Sequence, residues 1–307
     1  MMEGNSSTTL NSLGEFAAEQ AERLLGALAV QVARTARSAG ADEVHDLRVA
    51  IRRFARGLSA LKGCFPRKES AEIRRGLKKL MTRAGAVRDR DVALRLLAGR
   101  DSAGASELAK QFRAERKHAA RALTLALKRW VRRSSSAKWR NALEGPPPGF
   151  RDESVHTAAA RILPRLAKDY FRGGRGAARQ KAPAEELHRL RIAAKSLRYT
   201  LDLFAPAYGG AAAGILDELK GIQTLLGAIN DCAVVREMAA QRGGAEEILA
   251  SLKKRQRRKT AEFRALWGKA VAGGAQERWM ETLRHAHAAR KPPASSGPAP
   301  LVRRASA

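Results

Sequence analysis

The sequence predicts an all-α protein in which one helical unit occurs twice, as two antiparallel helical bundles related by a pseudo-twofold axis. Three observations carry that expectation. Ala, Leu and Arg recur throughout, aromatics make up only 5% of the residues, and no run alternates β-branched or aromatic residues with polar ones as a half-buried strand requires. Apolar residues instead return at helical spacing over long stretches. Finally, Val44-His45-Asp46-Leu47-Arg48-Val49-Ala50-Ile51-Arg52-Arg53-Phe54 returns as Leu187-His188-Arg189-Leu190-Arg191-Ile192-Ala193-Ala194-Lys195-Ser196-Leu197, at a constant offset of 143 residues. A second offset, 142, carries Gly85 onto Gly227 and Asp89 onto Asp231. A unit of about 140 residues lies far above the periods of solenoids, so a duplicated bundle is the natural reading.

The elements follow in order. Residues 1–13 read as a flexible lead, and residues 14–144 as the first bundle. Phe16, Ala17, Leu24, Leu25, Leu28 and Val32 define a helix over about 15–37, closed by Gly40. Asp42 is the expected cap of the first motif helix, which runs to about 62 before Gly63 and Pro66 break it. A third helix spans about 69–97 and carries Lys78, Lys79 and Gly85-Ala86-Val87-Arg88-Asp89-Arg90-Asp91-Val92. A basic fourth spans about 105–132, with Arg113, Arg116 and Arg121 along it. A short piece covers 139–143, and Gly145-Pro146-Pro147-Pro148-Gly149 makes residues 145–151 a linker.

The second bundle, residues 152–290, repeats the order. A lead helix covers about 152–171, with Pro164 as a kink point, and Gly173-Gly174-Arg175-Gly176 reads as a loop. Pro183 is placed at the first turn of the second motif helix, ahead of Glu185 and Glu186, and Pro206 ends that helix. Then come Lys220 and Gly227-Ala228-Ile229-Asn230-Asp231, a basic helix over about 245–271 with Arg255 in its centre, and a last helix over 279–290. Residues 291–307 read as a disordered tail of Pro, Ser, Ala and basic residues.

Charge is the dominant global property. The 307 residues hold 59 Lys and Arg against 30 Asp and Glu, a net charge of +29. Such an excess opposes compaction by self-repulsion and points to a polyanionic partner: nucleic acid, an anionic membrane surface or a chain of phosphates. Compositional drift toward Arg accounts for scattered arginines better than for ordered stripes. Two cysteines, one per half, form no disulfide framework and fit a reducing, cytoplasmic location. The first residues lack the basic and apolar regions of a signal peptide, and no run of eighteen apolar residues is present, so no membrane partner is expected.

On a helix with about 100° per residue, His45, Arg48, Arg52 and Arg56 share one stripe, while Leu47, Ile51, Phe54, Leu58 and Leu61 share another. In the second copy His188, Arg191, Lys195 and Tyr199 form the polar stripe with Arg198 on its flank, and Leu190, Ala194, Leu197, Leu201 and Phe204 the apolar one. Each motif helix therefore has a face for a core and an adjoining cationic face for something else.

These residues resemble a known family. His45-x-x-Arg48-Val49-x-x-Arg52-Arg53, Gly85-x-Val87-Arg88-Asp89-x-Asp91-Val92, Leu187-His188-x-Leu190-Arg191-Ile192-x-x-Lys195-x-x-Arg198-Tyr199 and Leu226-Gly227-x-x-Asn230-Asp231 are similar to the CHAD domain, the conserved histidine α-helical domain, over roughly residues 15–290. The resemblance implies paired bundles around a basic central groove or pore, binding of inorganic polyphosphate, and association with polyphosphate granules and with polyphosphate-metabolising proteins. Many relatives carry a CYTH domain; its Glu-x-Glu-x-Lys strand is not found here, which fits a member without one. The first copy departs from the second at Ala55, which stands where the second has Arg198.

Polyphosphate carries about one charge per phosphate and no base edges, so a line of guanidinium and ammonium donors suits it without stacking pockets. The residues assigned to the anion are His45, Arg48, Arg52, Arg53, Arg56, Lys78, Lys79, Arg88, Arg116, His188, Arg191, Lys195, Arg198, Tyr199, Lys220 and Arg255. Clustered positive charge depresses an imidazole pKa and bound phosphate raises it, so binding should weaken with salt and with rising pH. The basic runs 113–121 and 253–259 are either solvated faces or channel wall. Asp89 and Asp231 are read as partners for the arginines of the next helix, ahead of a catalytic or metal-ligating role.

Two other classes compete. A nucleic-acid binder shares the charge, but no helix-turn-helix, zinc-finger or RNA-recognition pattern is present and the basic rows lack interleaved aromatics, so non-specific binding is the expectation. A metal-dependent phosphohydrolase lacks a Walker loop, a His-x-x-x-His pair and paired carboxylates on the cationic face. His285-x-His287 near the end is a weak ligand pair. The expectation is a non-catalytic protein without cofactor or metal.

Overall fold

The computed structural model describes residues 11–100 and 102–285. Ten α-helices are described: α1 (Leu13–Arg37), α2 (Ala41–Ala60), α3 (Arg67–Leu97), α4 (Ala103–Arg132), α5 (Ser135–Asn141), α6 (Val155–Ala177), α7 (Ala184–Phe204), α8 (Ala213–Ala240), α9 (Glu246–Ala272) and α10 (Ala275–Arg284). No strand occurs among the described residues. Most of the expected lead at 1–13, residues 286–290 with His287, and the tail at 291–307 lie outside them.

Several boundaries differ from the sequence expectation for physical reasons. Gly40, not Asp42, is the N-cap of α2; Asp42 lies in the first turn with Glu43, where carboxylates complement the helix dipole. Pro183 is likewise the N-cap of α7 and not its first helical residue. Residues 173–176 are not a loop: α6 runs through them to Ala177. Gly174 is there for close packing, since a Cβ on it would lie 1.9 Å from Cη2 of Trp267. The short helices α5 and α10 begin at Ser135 and Ala275, ahead of the tryptophans expected to open them.

α3 and α4 form one long hairpin and α8 and α9 another, while α2 packs beside α1 and α7 beside α6. Between the halves, α2 packs on α7, α3 on α8, and α1 on α6. Phe16 of α1 also stacks on Phe204 of α7, with ring centroids 5.8 Å apart, so one core runs through both halves.

The apolar residues form two separate clusters. The large one takes α3 as far as Val87 and α8 as far as Ile229; the small one begins at Val92 and Cys232 and joins the hairpin tips. Between them α3 has Arg88-Asp89-Arg90-Asp91 and α8 has Asn230-Asp231. On α4 the gap between Phe112 and Leu123 holds Arg113, Arg116, Lys117 and Arg121; on α9 the gap between Leu252 and Phe263 holds the run Lys253–Lys259. All four long helices thus carry a charged waist at one level.

The tips above this waist are tied across the halves. Arg95 pairs with Asp231 at 3.4 Å, Arg100 donates to Ser251 Oγ at 2.8 Å, and Glu115 accepts from both Arg90 at 2.9 Å and Arg242. Gly104 lets the loops touch: a Cβ there would lie 2.2 Å from the Gly244 carbonyl oxygen.

Candidate functional site

The two motif helices meet below the waist. Leu47, Ile51 and Phe54 of α2 and Leu190, Ala194 and Leu197 of α7 are fully buried, which turns the adjoining stripes into the central space. Arg48 and Arg52 enter from α2, Arg191 and Lys195 from α7, and all four are half-buried. Arg48 lies close against α3, where a Cβ on Gly85 would stand 3.0 Å from its Nη1. Arg52 Nε donates to the Arg48 carbonyl oxygen at 3.1 Å, which holds its guanidinium back along the helix.

These cations crowd one another. Burial first, then Arg52, Arg88 and Arg191, lower the Arg48 guanidinium to about 10, with Asp89 opposing. Burial and then Arg191, Arg52 and Arg48 lower the Lys195 ammonium from 10.5 to about 7, with Asp231 opposing. Burial and Arg52 lower Arg191, opposed by Asp231 and Asp89. A site whose cations depress one another is short of negative charge, and an anion placed there relieves the repulsion.

His45 stands partly covered at the start of the stripe, and that partial desolvation, then Arg88 and Arg52, lower its pKa. His188 is exposed and lines a cleft of about 330 Å³ with Arg191, Asn230 and Gln256. Arg88 is half-buried, and its charge acts on both the His45 and the Arg48 groups. Lys78 and Lys220 are exposed lower on α3 and α8, in helical register with Gly85 and Asp89 and with Gly227 and Asp231 respectively. Lys79 is exposed on the adjacent face of α3.

Other assigned residues stand apart. Tyr199 is buried and is not part of a polar stripe; Arg198 covers its ring at 4.9 Å. The reason is that α7 is packed by α6, α2 and α8, so Ser196, Thr200 and Leu203 are buried too. Arg53 and Arg198 face Asp202, whose carboxyl is raised by burial against their charges. Arg56 lines a different cleft, near residues 149–153. Arg116 is committed internally, to Asp91 at 2.7 Å and to the Ala39 carbonyl oxygen at 2.8 Å. Arg255 is exposed and lies beside Arg100, Lys254 and Arg258.

The aspartates also rearrange the expectation. Asp91, not Asp89, pairs with the next helix of its own half, through Arg116. Asp231 pairs across the halves with Arg95. Asp89 makes no ion pair among the described residues; burial raises its carboxyl, Arg48 and Arg90 oppose, and Asp231 adds to the rise. Replacing Asp91 by alanine leaves Arg116 without its carboxylate and should cost about 2 kcal/mol of stability, the scale of a charge-assisted bond lost from a half-buried partner. Thermal melts check the loss, and polyanion affinity should stay unchanged.

Sequence reasoning passed over Gln256, Arg90 and Arg242. Gln256 is a lone amide inside a basic run, and the Arg90–Glu115–Arg242 bridge joins residues distant in sequence, so neither had a local signal. No group of three or more His, Cys, Asp or Glu is arranged to hold a metal among the described residues. Cys64 and Cys232 are free and buried, and no described helix is long and apolar enough to cross a membrane.

The CHAD domain family model matches residues 19–240, more than half of the chain. The chain belongs to the CHAD domain family. Its structure is similar to the CHAD domain of the plant Ricinus communis, with a TM-score of 0.61 and 23% identity over 91% of this chain and 93% of that one. It is similar also to PptA from Streptomyces chartreusis, with a TM-score of 0.57 and 16% identity over 88% of this chain and 99% of that one. No curated protein matches. In this CHAD domain the family match ends at Ala240, so α9 and its basic run lie beyond the matched residues.

Proposed function

We propose that this CHAD domain binds inorganic polyphosphate in the central space between α2 and α7, without hydrolysing it. One observation supports the reading above the others. Arg48, Arg52, Arg191 and Lys195 converge from two helices, and the carboxylates near them, Asp89 and Asp231, do not balance their charge. An unbranched chain of phosphates supplies the missing charge at regular intervals and needs no aromatic platform. The exposed lysines Lys78, Lys79 and Lys220 extend the cationic surface along the helices. In the cell this reading places the protein in the cytoplasm, at polyphosphate granules and beside enzymes that make or degrade the polymer.

The test is a titration of long-chain polyphosphate against double-stranded DNA of matched charge at about 0.15 M salt, where long-range attraction is largely screened. Tighter binding of polyphosphate supports the reading. Equal binding to both, insensitive to Arg48 and Arg191, would make the protein a general polyanion binder and favour the nucleic-acid alternative. Release of orthophosphate during the titration would overturn the non-catalytic part.

Binding should also depend on pH near neutrality. Lys195 sits at about 7 in the free protein, and bound phosphate favours its charged form. Affinity therefore falls as pH rises from 6 to 8, by up to about tenfold per pH unit for one linked proton. Lys195→Arg should flatten the profile while retaining affinity, because a guanidinium keeps its charge. Without ligand the sign reverses. The folded pKa lies below the unfolded 10.5, so the unfolded chain holds more protons between about 7 and 10.5 and stability rises with pH across that window.

A further inference from the structure

A second cleft, of about 530 Å³, lies at the far end of α2, away from the four converging cations. Its walls are the last turn of α2, the 3₁₀ turn Lys62–Cys64, the segment around residues 149–153 and the exposed side of α6. Two surfaces of opposite character meet in it. Leu61, Ile162, Leu166 and the ring of Phe150 form an apolar floor, and Phe150 is backed by α1, where a Cβ on Gly14 would stand 3.2 Å from its Cε1. Arg56, Lys62, Arg151, Arg161 and Arg165 form the rim.

The charges of this rim are unbalanced. Glu153 is the single acidic residue lining the cleft, and it is taken by Arg161. Arg56, Lys62, Arg151 and Arg165 make no ion pair among the described residues. Arg56 is half-buried, and burial alone lowers its guanidinium. With Arg161 held by Glu153, Arg56, Lys62, Arg151 and Arg165 are the rim cations left for phosphoryl oxygens.

An inorganic phosphate chain would use the rim and leave the floor wet. A fatty chain would use the floor and bring one charge to several cations. A nucleoside di- or triphosphate fits both: a flat base over the Phe150 ring and the Ile162–Leu166 surface, and a short phosphate tail on the arginines. The volume lies within the range of small-molecule sites. We propose that this cleft is a nucleoside-phosphate site, separate from the central cations and beyond the polymer-binding role.

The test is a fluorescence titration of the full chain with mant-ADP at about 0.15 M salt, followed by displacement with ADP, ATP, tripolyphosphate and orthophosphate. Arg165→Ala and Phe150→Ala should each weaken mant-ADP at least tenfold, and Arg48→Ala/Arg191→Ala should leave it within twofold. ADP should displace the probe at a concentration at least tenfold below that needed of tripolyphosphate. Circular dichroism melts confirm that the variants fold. Absence of binding, equal displacement by tripolyphosphate, or loss of binding in the central double variant with none in the cleft variants would each overturn the proposal. Failure of long-chain polyphosphate to bind would leave this site standing, so the two readings fail separately.

Discussion

Replacing Arg48 and Arg191 together by alanine should lower polyphosphate affinity about a hundredfold and leave the fold no less stable. The two effects have opposite causes. Each arginine offers charge-assisted bonds to phosphate, worth about 1.5–3 kcal/mol apiece, so losing both removes at least about 3 kcal/mol of binding, and each 1.4 kcal/mol is tenfold. In the free protein the same residues repel Arg52, Lys195 and each other, and burial already works against their charge. Their removal therefore relieves strain in the unliganded state. It should also raise the Lys195 pKa from about 7, since Arg191 and Arg48 are among the charges that lower it. Isothermal titration, thermal melts and the pH profile of binding read the three outcomes. A double variant that binds as tightly as the parent, or that unfolds, would show that these arginines serve packing and not the polymer.

Gly174→Ala should destabilise the protein by about 2–3 kcal/mol, the cost of overpacking a tight core, whereas Gly173→Ala should stabilise it by about 0.5–1 kcal/mol. The two glycines are adjacent in one helix and differ only in what lies above them. A Cβ on Gly174 meets Trp267 at 1.9 Å, and that indole is fixed by Tyr170, Phe171 and Phe263, with ring centroids 5.4, 5.7 and 6.2 Å away. It cannot move aside without breaking a cluster of four rings. A Cβ on Gly173 meets Leu190 Cδ1 at 3.9 Å, an ordinary contact, and removes the flexibility that glycine gives the unfolded chain. Chemical denaturation of the two variants side by side tests the pair; equal losses at both positions would mean that the segment behaves as the loop its composition suggests.

That segment illustrates the limit of local reading. Four residues with three glycines lack any side-chain signal for a helix, and the partner that makes glycine useful there, Trp267, is more than ninety residues away. Tyr199 departs from its stripe for a similar reason: its helical phase matches the cationic stripe, but α7 is covered on several sides and the ring is buried. Asp89 and Asp91 show the same thing at finer scale. Both lie among arginines on one helix, and only the approach of α4 decides that Asp91 takes Arg116 while Asp89 is left to the central space.

What the sequence determined by itself was the helical class, the order of the helices and the two amphipathic motif helices. Each of these follows from residue spacing along one helix, where 3.6 residues per turn set which side chains share a face. The tertiary structure decided which cations meet. His45, Arg48, Arg52 and Arg56 are one stripe in sequence, yet Arg48 and Arg52 meet Arg191 and Lys195 at the centre while Arg56 opens into another cleft. Two helices cross in contact over only part of their length, so a continuous stripe is divided by the crossing point into residues that face the partner and residues that face elsewhere.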